Sequence, residues 1–384
     1  MEQSYLERAE IAAQAISEAS AQIEAERELP AELLRIMHEQ RLFRLTLPGW
    51  LGGDELDPAR LAQVTMRIAV ADASAAWCLG QAFGCAMSAA YLDEQVAREM
   101  FGPEDSVLAW GAGPQGKAVA VDGGFQVNGR WRFASGGKHA TWLGGHCHVF
   151  EADGSKRCNE AGENVERTVF VRRDVATIAD DWYVIGLRGT RSEGYTIDDV
   201  FVDDGHTFHR DDPDERRSEA PLYVFPITYV YASAFSGVAL GIARGALDDL
   251  KSLAEHKTAQ GARSSMRESP VFQTELAELE AKWGSARAFQ QTTLSEVWDD
   301  VSESHVLSVE HRARIRLATT YAINECTEVV EAAYRRAGAT AIFESQPFER
   351  RFRDMHAVSQ QVQASRTHLE SVGRFLLGHE EHSL

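Results

Sequence analysis

The chain has 384 residues, 44% of them hydrophobic, and a formal net charge of −19. That length and apolar content predict two or three domains around a sizeable core. The acidic balance argues against nucleic acid or an anionic membrane surface as partner, since both are bound through clustered Lys and Arg.

Five scattered cysteines, Cys78, Cys85, Cys147, Cys158 and Cys326, include no CxxC pair. That usage fits a reducing cytoplasm better than a disulfide framework. The opening MEQSYLERAEIAAQ lacks the basic and apolar regions of a secretory signal.

In chain order, apolar positions at helical spacing predict a first helix over Leu6–Glu24. Pro30 suits the first turn of a second, PAELLRIMHEQ. Leu47 to Leu56 reads as a glycine-rich loop, and Asp57-Pro58 opens a third helix running through Ile68. Ala73–Leu92, uncharged and rich in Ala, Gly and Ser, predicts a fourth helix buried on all sides, and Asp93–Phe101 a short fifth. Gly102-Pro103 marks a boundary, after which the period changes from 3.6 to 2.

Strands are expected at Val107–Trp110, Ala118–Val121, Thr141–Glu151, Thr168–Arg172 and Tyr195–Val202. Between them, Phe125–Val127 and Arg130–Phe133 flank Asn128-Gly129, which predicts a two-residue hairpin. The return strand runs into Ala134-Ser135-Gly136-Gly137, where small residues allow close approach to a flat ligand. Residues 152–166 read as a surface excursion and Asp203–Glu219 as an acidic linker. Four long helices follow, Phe225–Leu253, Pro270–Val301, His305–Ala337 and Pro347–Leu377, as an antiparallel bundle. Tyr223–Ala243 is long and uncharged enough to span a membrane, but carries Pro226 and lacks basic flanks, so it reads as a core helix. The expected domains are 1–104, helical; 105–210, a β-barrel or sandwich; and 211–384, a four-helix bundle.

Three motif-like stretches point elsewhere. GAGPQG (111–116) matches the dinucleotide pattern, but a strand follows where a helix must open. His146 and His148 share a strand face without third and fourth ligands at metal spacing, and His379-Glu380-Glu381-His382 has the wrong spacing for a zincin.

A helical domain, a β-domain and a four-helix bundle in this order resemble the acyl-CoA dehydrogenase fold over nearly the whole chain. GRWRFASG (129–136), DWYVIGLRGTRSEGYTIDDVFV (181–202) and FERRFRDMHAVSQQV (348–362) are similar to segments of the group D flavin-dependent monooxygenases that share this fold. The resemblance implies the oxygenase component of a two-component system. It would take reduced flavin (FAD or FMN) from a separate reductase and use O2 to oxygenate a small indole-like or phenol-like ring. It implies a flavin C4a-hydroperoxide as the oxygenating species, and a homotetramer.

On that resemblance Ser135, with Ala134, matches the serine facing the flavin near N5 and C4a, and is expected to supply a donor to the reacting oxygen. Trp182 and the Thr190–Ser192 turn match positions beside the ring system. Trp110, Gly111, Ala112 and Gly113 match the loop lining its other side. Arg263 is a phosphate ligand offered to a neighbouring subunit, and Gly338 lies in the loop Ala337–Thr340 that reaches a neighbour's flavin. Trp182 is equally readable as core and Arg263 as a solvated loop charge. Phe225, Tyr229 and Phe235, with Tyr223 and Tyr231, crowd the start of the first bundle helix and suit an aromatic slot. Two histidines of the resembling family are missing: one position reads Gln361, the other falls near Cys85. His356 and His368 remain on the last predicted helix, with His368 on the face of Gln361. Without the usual base, an electron-rich indole-like ring is favoured over a phenol.

Two other readings stand beside this one. A thioester dehydrogenase needs a carboxylate base, and the matching position here is Val362, with Glu344 in the preceding loop. A catalytically silent flavin-binding protein is the third.

Overall fold

The computed structural model describes residues 3–160, 162–258 and 264–379. The chain opens with α1 (Tyr5–Glu26), started by Ser4 and Glu7, whose side chains cap each other's backbone N–H. α2 (Ala31–Glu39) follows Pro30. In α3 (Pro58–Ala71) Asp57 accepts from the Arg60 N–H while Pro58 occupies the first position. Asp72 in turn caps α4 (Ala73–Ala86) through the Ala75 N–H. This helix is shorter than expected. From Met87 to Tyr91 the chain tightens into a 3₁₀ turn, where Ser88 Oγ donates back to the Cys85 carbonyl. α5 (Glu94–Phe101) completes the helical part before the sheet.

The β-part is a single mixed sheet of eight strands: β1 (Leu108–Trp110), β2 (Gly116–Val121), β3 (Gly124–Trp131), β4 (Trp142–Phe150), β5 (Glu166–Arg172), β6 (Thr177–Ile178), β7 (Tyr195–Asp203) and β8 (Thr207–Phe208). The order is β6-β7-β3-β2-β4-β5-β8. β1 and β2 both run parallel to β4, pairing with Trp142–Gly144 and Cys147–Phe150 respectively. The chain therefore leaves β4 after Trp110 and rejoins it at Gly116, so residues 111–115 form a loop thrown outward between two collinear strands.

The expected Asn128-Gly129 hairpin does not form. β3 runs straight through it, and the reversal lies earlier, at Asp122-Gly123, where Val121 pairs with Gly124 and Gly123 takes φ +74°. Instead a β-bulge sits between Val127 and Gly129, and Asn128 Oδ1 accepts from the Asp199 N–H across it. Gly129 is glycine for lack of room. A Cβ there would lie 2.4 Å from the Trp131 ring, as it would at 2.3 Å from Gly116 and 2.6 Å from Gly145. Three strands thus give up side chains to admit one indole. Trp131 fills that notch, fully buried, stacked on Tyr195, its Nε1 donating to the His146 carbonyl at 2.9 Å.

Four long helices build most of the remainder: α6 (Ile227–His256), α7 (Pro270–Ser304), α8 (Val309–Ala337) and α9 (Pro347–Val358). α6 is buried along most of its length. It approaches α3 closely, since a Cβ on Gly237 or Gly241 would meet the Ala62 or Met66 carbonyl at 2.4 and 2.3 Å. The last predicted helix is broken. α9 stops at Val358, a 3₁₀ turn spans Val362–Ala364, and α10 (Thr367–Leu376) resumes beyond it. Neither Pro nor Gly causes the break. Tertiary bonds replace helical ones: Thr320 Oγ1 donates to the Gln363 carbonyl at 3.0 Å and Asn324 Nδ2 to the Ala364 carbonyl at 3.1 Å. Gln361, in the break, and His368, in the first turn of α10, do not share a face of one continuous helix as expected.

Candidate active site

Where β3 ends, Phe133 takes φ +64°, a region a bulky L-residue enters only when its surroundings force it. The result is a division of labour: Phe133 points outward, 53% exposed, while Ala134 and Ser135 turn inward and are buried. Ser135 then enters a chain of hydroxyls. Thr190 Oγ1 donates to the Leu187 carbonyl at 2.8 Å, which spends its only proton. Ser192 must therefore donate to Thr190, at 2.7 Å, and Ser135 to Ser192, also at 2.7 Å. Ser135 Oγ accepts from Trp77 Nε1 at 3.0 Å. In this arrangement Ser135 faces the site as an acceptor, beside the expectation that it donates to a reacting oxygen. Its proton is committed, and what it has left is one acceptor lone pair.

Trp77 links that chain to an aromatic column. Its ring stacks on Phe235 at 3.9 Å and 10°, and Phe235 stacks on Tyr231 at 5.4 Å and 6°. Both α6 rings fit against α4 because Gly80 and Gly84 face them, a Cβ on Gly84 meeting Tyr231 at 2.4 Å. The Tyr231 hydroxyl accepts from Gln81 Nε2 at 3.0 Å and lies 3.6 Å from Cys85 Sγ. Burial pushes the Cys85 thiol up to about 12, so it stays neutral and cannot replace a histidine base. Trp77 and Gln81 were not among the expected site residues, whereas Tyr231 was named with the aromatic slot. The signal available was the repeat Trp77, Gln81, Cys85 at four-residue spacing, one face of α4.

The loop 111–115 lies against the end of β3: the Ala112 N–H donates to the Arg132 carbonyl at 3.0 Å, and a Cβ on Gly111 would strike Trp131 and Arg132. Trp110, Gly111, Ala112 and Gly113 thus come next to the Phe133–Ser135 segment. Trp182 meets Phe133 edge-on at 6.1 Å, and its Nε1 donates to the same Leu187 carbonyl at 3.2 Å. Exposed Phe133 and half-buried Trp182, with Tyr183 beyond at 70% exposure, make an apolar shelf beside the hydroxyl chain.

A buried ionic cluster holds this turn from behind. Asp354 Oδ1 on α9 accepts from the Leu187 N–H at 2.7 Å. Burial, against the pull of Arg350, raises its carboxyl to about 7. Arg350 also pairs with Asp72 and, at 3.5 Å, with Glu24. One cluster therefore joins α1, the α4 cap, the 187–192 turn and α9.

The other expected residues are more dispersed. Phe225 is fully buried against Trp298, in the helical core. Tyr229 lies under the Arg316 guanidinium at 4.7 Å. Gln361 Oε1 accepts from the Gln363 N–H at 2.8 Å, and its Nε2 is buried without a partner, as is His368 Nε2. His356 packs edge-on against Phe352 and lies 3.6 Å from Glu331. Gly338 takes φ +57°, with Lys257 Nζ donating to the Ala337 carbonyl beside it. Arg263 lies outside the described residues.

Comparison with known proteins places these features in context. Residues 6–100 match the family model described as acyl-CoA dehydrogenase, N-terminal domain, and residues 233–366 match acyl-CoA dehydrogenase, C-terminal domain. Indole-3-acetate monooxygenase of Pseudomonas putida is 28% identical over 93% of this chain and 89% of its own length. The flavin-dependent monooxygenase oxygenase subunit HsaA of Mycobacterium tuberculosis is 28% identical over 86% of this chain and 84% of its own. Among solved structures, XiaF from Streptomyces sp., determined with FADH2 and glycerol, superposes with a TM-score of 0.89 at 22% identity, over 99% of this chain and 96% of that one.

Proposed function

The chain belongs to the acyl-CoA dehydrogenase superfamily and is a flavin-dependent aromatic monooxygenase, and we propose that it is the oxygenase half of a two-component system. Its reduced flavin, FAD or FMN, then comes from a separate reductase, and its substrate is a small indole-like or phenol-like ring. The observation that carries this reading is the Thr190–Ser192–Ser135–Trp77 chain, with the apolar shelf on one side and the Trp77–Phe235–Tyr231 column on the other.

A flavin fits these residues. The Phe133–Trp182 shelf suits a flat apolar ring, and the Ser135 lone pair suits the N–H edge of the reduced form. The loop Trp110–Gly113 flanks the same place. When bound, reduced flavin supplies the two electrons that activate O2 for transfer of one oxygen atom to the ring. The chain's own residues do the rest. Trp77 and Ser192 fix Ser135 as an acceptor, and the stacked aromatic side chains shield the site from water. Tyr231, with Cys85 and Gln81, sets the far wall of the slot. Gln361 offers an amide where a base would stand, which favours a ring that needs no deprotonation. Gly338 and Arg263 are proposed to serve a neighbouring subunit's flavin in a homotetramer. The domain boundaries 104/105 and 210/211 and a cytoplasmic location, consistent with five free cysteines, belong to the same proposal.

A dehydrogenase reading lacks its base. Val362 stands 65% exposed at the matching position, and Glu344 lies on an exposed loop. Two measurements test the choice. Chemically reduced flavin, O2 and an indole should give oxygenated product without NADH, and NADH oxidation by this chain alone would overturn the two-component proposal. Anaerobic bleaching of the oxidised flavoprotein by any acyl-CoA would overturn the oxygenase reading.

A further inference from the structure

α4 and the first half of α6 are buried almost completely, and the exceptions converge. In α4 only Trp77 and Gln81 keep accessible surface, and from Ile227 to Ala243 of α6 only Thr228 and Tyr231 do. Trp77, Gln81 and Tyr231 are joined to one another. Trp77 and Gln81 stand one turn apart on the same face of α4. Trp77 and Tyr231 are the two ends of the stack through Phe235, and Gln81 Nε2 reaches the Tyr231 hydroxyl at 3.0 Å. Two helices packed against the molecule on their other faces therefore open toward one gap.

Within that gap the hydrogen bonds of Gln81 and Tyr231 do not balance. The Gln81 amide spends its N–H groups on the Tyr231 oxygen and, at 3.5 Å, on Cys85 Sγ. The Tyr231 proton is left with two poor acceptors, the Cys85 sulfur at 3.6 Å and the Gln81 backbone carbonyl at 3.5 Å. Turning the amide over would let Tyr231 donate to Gln81 Oε1 and would leave Gln81 N–H groups unspent, so the pair still holds a donor to spare. Burial, against smaller pulls from Arg210 and the Trp110 side chain, holds the Tyr231 hydroxyl well above its ordinary value, and it keeps its proton. Ser135, joined to the other end of the column through Trp77, is the opposite case: its proton is spent and a lone pair is free. The gap thus offers an acceptor at one end and a donor at the other.

We propose that the Gln81–Tyr231 pair is the specificity-determining donor of the aromatic slot, and that it holds a hydrogen-bond-accepting oxygen on the edge of the substrate ring remote from the flavin. A bare ring edge, or a substituent that only donates, leaves that donor unpaired and is disfavoured. The proposal rests on the monooxygenase reading and adds to it the polarity of the slot.

The test is equilibrium binding by calorimetry, anaerobically, to protein loaded with chemically reduced flavin. The probes are methoxyindoles substituted at each carbon of the benzene ring, each matched with the ethylindole of the same position, and methoxyphenols matched with ethylphenols in the same way. Methoxy and ethyl groups have nearly the same shape, but only the first accepts a hydrogen bond. In at least one pair the methoxy ring should bind about fivefold tighter, the worth of one hydrogen bond. Tyr231→Phe should bring that ratio to about one, and so should Tyr231→Phe combined with Gln81→Leu. Loss of the preference in the combined variant alone supports the proposal and puts the donor on Gln81. Each ratio is taken within one protein, so partial loss of folding does not imitate the effect. A preference that survives the combined variant overturns the proposal, as does a wild type that binds and oxygenates both members of every pair equally; in both cases the monooxygenase reading stands. Binding and oxygenation of none of the probes overturns the small-ring reading of the substrate as well.

Discussion

Ser135 shows how one proton decides a role. Because Thr190 is committed to the Leu187 carbonyl, the polarity of the chain runs one way, and Ser135 is left as an acceptor. Ser135→Ala should lower product per reduced flavin oxidised about fivefold, roughly the worth of one hydrogen bond, with hydrogen peroxide making up the difference. Thr190→Val should act in the same direction, because it frees the order of donation; unchanged coupling in both variants would mean the chain does not touch the flavin. Gln361→His should alter the pH dependence of turnover, and an unchanged pH profile would mean that this position does not face the reacting ring. His146 makes a separate prediction. Burial holds its imidazole at about 3, so below pH 6.5 the unfolded chain binds a proton that the folded chain refuses. Stability should fall as pH drops from about 6.5 to 3, by about 1.4 kcal/mol per pH unit for this one group. Asp354, raised to about 7, has the opposite sign, since the folded state there holds the extra proton between about 4 and 7. Urea unfolding of His146→Gln across this range should flatten the acid limb, and a slope equal to wild type would refute the assignment.

At the scale of elements, two features set the site. The first is the notch for Trp131 in β2, β3 and β4. Gly145→Ala puts a Cβ 2.6 Å from the indole and should cost about 1–3 kcal/mol by overpacking. Trp131→Ala should cost about 3–5 kcal/mol by leaving a cavity. Both are read from chemical denaturation, and a neutral outcome for both would mean the sheet does not close around this ring. The second is the break between α9 and α10. Gln363 is held from four sides, by Arg316, Thr228, Thr320 and its own bond to Gln361. Thr320→Val should loosen the segment, seen as faster amide exchange at residues 361–366 without a change in α9; protection equal to wild type would show that the break is held by other contacts.

At the scale of the molecule, the ionic cluster around Arg350 joins the first helix to the ninth through the turn that carries Thr190 and Ser192. Removing one buried partner leaves the others uncompensated, so Arg350→Met should destabilise by about 3–5 kcal/mol and also disturb flavin binding. The exposed apolar side chains Ile342, Phe343 and Val362 lie on segments close in sequence to the loop at Gly338 and to the α9–α10 break. They fit the proposed tetramer, whose subunits would cover them. Sedimentation that finds a stable monomer still binding reduced flavin tightly would refute that assembly.

Local patterning determined which stretches became helix or strand, because burial faces repeat at 3.6 or 2 residues and because Asp57, Asp72 and Ser4 mark helix starts through their own backbone bonds. The motifs around Ser135 and Asp354 marked the stretches from which the proposed site is built. Three things needed the tertiary structure. Asn128-Gly129 carries the strongest local hairpin signal, yet β7 and the Trp131 ring demand a strand there. The helical pattern of residues 347–377 is unbroken in sequence, yet bonds from α8, about forty residues away, interrupt it. The direction of the Ser135 hydroxyl and the unspent donor of the Gln81–Tyr231 pair depend on which groups meet across elements. Sequence spacing encodes the period of one element, whereas a hydrogen-bond polarity or an unspent donor is a property of several elements at once.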